Sequence, residues 1–200
     1  MRLRFKLPGD RVCIAAAGFN FSGLHASVRT FLEIETFGVT NRVLDKDGKI
    51  LGFALFADVD GVPPVRVESE LVAMRDEGWE FGDAYVFESS PGSSHVLCPV
   101  VAQDFEVAAF VTRLKRVSGK HGHSLDLFTA NDEMTLRHVP RGDDPAPVFR
   151  SLVIGYWGGA WSASHLAFLE GHYGVLTARP CGESIGEGAV VKNYWTQRRK

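Results

Sequence analysis

The run Gly52-Phe53-Ala54-Leu55-Phe56-Ala57-Asp58-Val59-Asp60-Gly61 constrains this chain more than any other stretch. Every residue before Asp58 is apolar or glycine. Two carboxylates one residue apart close the run, and Gly61, Pro63 and Pro64 follow. Apolar residues on both faces mark a strand buried on both sides, central in a sheet. Side chains alternate along a strand, so the pattern places Asp58 and Asp60 on one face at its C-terminal end. Two neighbouring carboxylates repel unless positive charge sits between them. A divalent cation is the usual answer, and hard oxygen ligands suit Mg²⁺ or Mn²⁺. The plainer alternative is a strand end with two solvated aspartates.

The bulk properties narrow the setting. Two hundred residues with average apolar content suit one globular domain, spanning 1–200. A formal net charge of −2 carries no global nucleic-acid signature, so any such binding must be local. Cys13, Cys98 and Cys181 are far apart, form no CxxC pair and are odd in number. They predict reduced thiols and a cytoplasmic protein rather than a disulfide framework. Met1–Lys6 is basic, but Pro8, Gly9, Asp10 and Arg11 break any signal-peptide core. No apolar run approaches the roughly 20 residues that span a bilayer.

Taken in order, residues 1–30 give no clear period. Val12–Ala17 suits a short strand or a helix start, and Phe19–Gly23 a loop. Phe31–Leu44 turns β-like, and Asp45-Lys46-Asp47-Gly48-Lys49 supplies a hairpin turn into the central strand. Pro63 and Pro64 open a helix with Val67, Leu71 and Met74 on one face, stopped at Gly78. Ala84–Glu88 reads as a strand, Ser89–Ser94 as a tight loop, and His95–Val100 as the returning strand. Asp104 is placed to cap a helix with the stripe Val107, Phe110, Val111, Leu114 and Val117, ended at Gly119. Ser124–Thr129, with Asp126, gives a further strand. The class is α+β: a βαββαβ, ferredoxin-like core of the kind RNA-recognition modules use, with an N-terminal β-hairpin and a C-terminal extension over 146–200. Right-handed crossovers put the first strand between the third and fourth, antiparallel to both. Asp58, Asp60, His95 and Asp126 should then converge on one edge of the sheet.

Those residues resemble the motifs of the archaeo-eukaryotic primase, or primase–polymerase, superfamily over roughly residues 35–145. Asp58-Val59-Asp60 is similar to the Asp-x-Asp of its first motif. The turn Ser89-Ser90-Pro91-Gly92-Ser93-Ser94, running into His95-Val96-Leu97, is similar to its second. Leu125-Asp126, followed by Asp132 and Leu136-Arg137-His138-Val139-Pro140, is similar to its third. Ser93 and Ser94 stand where relatives often carry a basic residue and Gly, and Arg141-Gly142 replaces the usual Gly-Ser. The resemblance implies templated nucleotidyl transfer by two divalent ions roughly 3.5–4 Å apart. Asp58, Asp60 and Asp126 would be the ligands, and Ser89, Ser90, Ser94, His95 and Arg137 would bind the nucleotide. A single-stranded DNA template and primer, NTPs or dNTPs, and a helicase or another replication or repair protein are the implied partners.

Each residue also has a plainer reading. His95 could be a strand-start histidine bonded to a carbonyl, Arg137 half of a surface ion pair, and the serines ordinary turn chemistry. The basic run Arg113, Lys115, Arg116 and Lys120 could track a template backbone, or simply suit the end of a helix. Trp161, His165 and Phe168 share a helical spacing that favours packing, with stacking on bases as the alternative. Arg198, Arg199 and Lys200 read as a disordered basic tail. Two other function classes compete: a non-catalytic single-strand-binding module on the same sheet, and a rolling-circle nickase using His121, His123 and a tyrosine.

Overall fold

The computed structural model describes residues 2–7, 10–15, 31–118, 134–140, 143–175 and 182–199, with side chains described between 38 and 191. The strands are β1 (Arg2–Leu7), β2 (Asp10–Ala15), β3 (Phe31–Thr40), β4 (Arg42–Leu44), β5 (Ile50–Val59), β6 (Ala84–Ser90), β7 (Ser93–Ala102), β8 (Thr135–Arg137), β9 (Val148–Val153), β10 (Trp161–Ser162), β11 (Ser184–Ile185) and β12 (Val191–Arg199). The helices are α1 (Pro64–Asp76), α2 (Asp104–Arg116) and α3 (Ala163–Tyr173). The protein is α+β, with a mixed, nearly closed, barrel-like sheet arrangement. No helix among the described residues is long and apolar enough to cross a membrane.

β5 is central, as its two-faced apolarity requires. It pairs antiparallel with β7 along most of its length and with β4 near its start. β7 pairs in turn with β6, which makes β5 and β6 parallel with β7 between them. The run β5-α1-β6-β7-α2 thus has the order and pairing expected of the first five elements of a βαββαβ unit. The sixth, expected at 124–129, lies outside the described residues.

The other sheet runs β1-β2-β3-β12, with β8 also on β3. Asn41, between β3 and β4, joins the two sheets. Its N–H donates to Met134 O at 2.9 Å, its carbonyl accepts from Ala54 N at 2.7 Å, and its Oδ1 accepts from Met134 N at 2.8 Å. One fully buried residue therefore carries the chain from one sheet into the other.

The two faces of the β5-β7-β6 sheet bury different partners. Leu55, Ala57 and Val59, with Val86, Val96 and Cys98, meet Val67, Leu71 and Met74 of α1 and Val107, Phe110 and Leu114 of α2. Ala54 and Phe56, with Tyr85, Phe87 and Leu97, meet Val39, Leu136, Trp161, Leu166 and Leu169. Burial on both faces explains why the run before Asp58 lacks polar alternation.

Several local expectations change. The strands flanking the serine-rich turn run on to Ser90 and from Ser93, leaving only Pro91-Gly92 between them. Proline pre-sets its own φ and Gly92 takes φ +76°, so a two-residue turn suffices. A Cβ at Gly92 meets nothing, so Gly92→Ala tests backbone strain alone. It should cost about 1–2 kcal/mol in urea denaturation.

Helix α2 is capped one residue early. Gln103 is the N-cap and its N–H donates to Glu106 Oε2 at 2.7 Å, which leaves Asp104 as the first helical residue. The helix ends at Arg116, capped by Val117 rather than running to Gly119. Trp161 stands in β10, so α3 begins only after its Ser162 cap. Arg198 and Arg199 are not a disordered tail: they pair with Leu32 and Phe31 at the end of β12. Residues 1–30 contain β1 and β2, an antiparallel hairpin whose period was too short to read.

Candidate functional site

Strand alternation puts Asp58 on the sheet face of Ala54 and Phe56, opposite the face that α1 and α2 cover. Cross-strand register sets His95 of β7 directly beside it. His95 Nε2 lies 3.5 Å from Asp58 Oδ1, with the imidazole nearly buried (8% exposed) and the carboxylate half open (44%). The sheet thus offers a carboxylate to solvent at its rim and backs it with a ring held in the interior. Asp60 follows the end of β5, exposed, in the turn before Gly61.

Lys115 of α2 lies within electrostatic reach of the two carboxylates. Burial pushes the Lys115 ammonium below the ordinary lysine range, while Asp58 and Asp60 pull it back up. β7 ends beside Phe53, and α2 starts two residues after it. Packed along β5, the helix therefore brings its last turn toward the end that carries the aspartates. From the sequence, Lys115 was one of a basic run with no preference for any partner.

The serines support the turn between β5 and α1. Ser93 Oγ accepts from Gly61 N at 2.9 Å, and Ser94 Oγ donates to Val62 O at 2.7 Å. Ser94 pairs with Val59 and is wholly buried, one step from His95 and so on the opposite, helix-side face. These two serines thereby fix the backbone that follows Asp60. Ser94→Ala should lower stability by about 1–3 kcal/mol, read by denaturant unfolding, because the Val62 carbonyl loses this buried donor. Ser90 ends β6 opposite Ser93, and Ser89 is buried at a bulge beside it.

Arg137 is buried rather than displayed. Its Nη1 donates to Val139 O at 2.9 Å and to Pro145 O, and its Nη2 donates to Ser89 O. The guanidinium therefore ties β8 and the segment after it to the end of β6. Arg137, His95 and His138 line one small pocket with Phe87, Phe168 and Tyr173. Burial pushes the Tyr173 phenol up to about 12 against the pull of Arg137, so it stays neutral.

Asp58 and His95 are thus brought together, with Asp60 just beyond and Arg137 sharing the His95 pocket. Ser94 faces away. Asp126, the third expected ligand, lies outside the described residues, as do Asp132, His121, His123 and Lys120. Among the described residues, no group of three or more His, Cys, Asp or Glu side chains is gathered for a metal ion. Asp58 and Asp60 are hard oxygen donors near solvent, the chemistry that Mg²⁺ or Mn²⁺ prefers. Comparison of the chain with protein-family models, curated proteins and solved structures returned no match.

Proposed function

We propose that the protein is a template-directed nucleotidyltransferase of the primase–polymerase type, acting on single-stranded DNA with NTPs or dNTPs. The observation that carries this reading is the registered Asp58–His95 pair at the C-terminal rim of β5, on the sheet face away from α1 and α2. The β5-α1-β6-β7-α2 order supports it, since that order is what sets those two side chains opposite each other.

In this reading Asp58, Asp60 and Asp126 hold two divalent ions, which supply charge stabilisation for the attacking and leaving oxygens. His95, held in place beside Asp58, donates a hydrogen bond to a phosphate of the incoming nucleotide. Lys115 adds positive charge on the side of the aspartates, where the serine-rich turn carries none. The Ser93 and Ser94 bonds keep the Asp60 turn from shifting. Carboxylate and imidazole positions set by a sheet ladder are better preorganised than positions on a loop.

One observation weighs against the stacking-platform alternative. A single-strand-binding module of this kind displays aromatic rings on its open sheet face. Here Phe56, Tyr85 and Phe87, the rings at those positions, are at most 3% exposed.

The test is incubation of the purified protein with single-stranded DNA, labelled nucleotides and Mn²⁺, with and without a primer. Incorporation dependent on the template supports the reading. Strand cleavage needing no triphosphate would instead support the nickase, and retention of DNA without incorporation the binding module.

A further inference from the structure

We propose that one face of the β1-β2-β3-β12 sheet, the face carrying Arg2, Arg4, Lys6, Arg11 and Arg199, binds a single-stranded nucleic acid and leads it to the Asp58 rim. Register places these residues together. Arg2 pairs with Ala15, Arg4 with Cys13 and Lys6 with Arg11; Cys13 then pairs with Glu33, and Glu33 with Gln197. Directly paired residues share a face, as do alternate residues along each strand. Arg199, paired with Phe31, and Trp195, paired with Glu35, therefore stand on that face too. The opposite face takes Leu3, Phe5, Val12, Ile14, Leu32 and Ile34. Strand pairing thus gathers cations from the two ends of the chain onto one side of an amphipathic sheet.

The charge is local. The whole chain carries −2, yet on this face the five basic residues are set against only Glu33 and Glu35. Lys6 and Arg11 stand directly opposite each other, an arrangement of like charges that destabilises a strand pair unless an anion lies between them. Arg2, Arg4 and Lys6 follow one another about 6.8 Å apart along β1. That repeat is close to the spacing of phosphates on an extended single strand. Trp195 and Phe31 add aromatic residues among the cations, and stacking on such rings accepts any base.

This face also runs on from the site. Asn41 O accepts from Ala54 N at 2.7 Å, level with the middle of β5. Val39, two residues back along β3 and on the basic face, packs with Phe56 and Leu97. It also lines the pocket of His95, which pairs with Asp58. Farther back, through Phe37, Glu35 and Glu33, β3 continues in the direction of the aspartates. An anionic lipid surface would attract the same cations, but continuity with a carboxylate rim favours a nucleic acid. Naming the bound strand as the template rests on the nucleotidyltransferase reading; the surface itself does not.

The probe is a fluorescent oligothymidylate, its anisotropy followed with the full chain over a range of sodium chloride concentrations. Phosphatidylserine vesicles serve as the competing surface. Four proteins are compared. They are the wild type, a triple variant (Arg2→Gln, Arg4→Gln, Lys6→Gln), Arg199→Gln, and a pair on the opposite face (Lys192→Gln, Arg198→Gln). Among the described residues β1 is the end strand of its sheet, and circular dichroism checks that each variant folds.

The slope of log affinity against log salt should fall by about 2 in the triple variant and by about 0.7 in Arg199→Gln, because each single-strand phosphate contact contributes about 0.7. The opposite-face pair should keep the wild-type slope. Absence of oligonucleotide binding, binding to vesicles alone, unchanged slopes in both same-face variants, or an equal fall in the opposite-face pair would each overturn the assignment. Binding through this face without template-dependent incorporation would refute the nucleotidyltransferase reading and uphold the surface. Incorporation with unchanged slopes in the same-face variants would do the reverse.

Discussion

On the proposed nucleotidyltransferase reading, Asp58→Asn should reduce nucleotide incorporation by at least about a hundredfold, because a charge-bearing oxygen that would hold an ion becomes a neutral amide. The substitution preserves size and leaves Phe56 and His95 where they are. Asp58 is also half open to solvent, so the loss of a charge there costs the fold little. Melting temperature and affinity for single-stranded DNA should stay near the wild-type values while primer extension with Mn²⁺ collapses. The same rate in both proteins would remove Asp58 from the chemistry. A fall in rate accompanied by an equal fall in folded protein would show only that the strand end had been damaged.

His165→Leu should be the most destabilising single change among the histidines, costing about 3–5 kcal/mol in urea denaturation. His165 is wholly buried on α3. Its Nε2 donates to Thr40 O at 2.8 Å, and its Nδ1 accepts from the Ser162 hydroxyl at 2.7 Å. The ring also stands edge-on to Phe56 at 5.5 Å. One imidazole therefore joins the α3 cap, the β3–β4 junction and the central strand. Leucine fills the volume but strands the Thr40 carbonyl and the Ser162 hydroxyl.

The same residue should make stability pH-dependent. Burial lowers the His165 pKa from 6.5 to about 4, opposed only by the Thr40 carbonyl. As pH falls below 6.5 the unfolded chain takes up the proton first, so unfolding becomes easier. Stability from this group is complete above about pH 6.5 and is lost progressively toward pH 4, by about 3 kcal/mol in all. His138, lowered to about 4 mainly by burial and secondarily by His172, adds to the same trend. His165→Gln should flatten the slope of unfolding free energy between pH 6.5 and 4. An unchanged slope would show that His165 does not carry it.

Local elements with their own chemistry were legible. The α1 stripe Val67, Leu71 and Met74 is fully buried as its spacing requires. Asp45 and Gly48 make the hairpin turn: Asp45 Oδ1 accepts from Asp47 N and Lys49 N, and Gly48 takes φ +82°. The Asp58–His95 convergence followed from crossover handedness applied to five elements in order. Elements without a local signal were not legible. β8 is three residues long, β10 and β11 are two each, and each exists only because a neighbouring strand supplies hydrogen bonds. Gln103 as a cap was hidden by Asp104, which has the stronger intrinsic preference; the Glu106 carboxylate reaching back to Gln103 decided the matter.

The amino-acid order alone determined that a strand apolar on both faces would lie inside a sheet and end in two carboxylates. It did so because burial and side-chain alternation are properties of a single segment. Only the folded chain decided that Ser94 props a turn, that Arg137 is clasped by carbonyls, and that Lys115 feels the charge of the aspartates. Those three outcomes depend on which distant backbone groups need a donor and where a helix ends over a sheet, and neither quantity is written in any one stretch of residues.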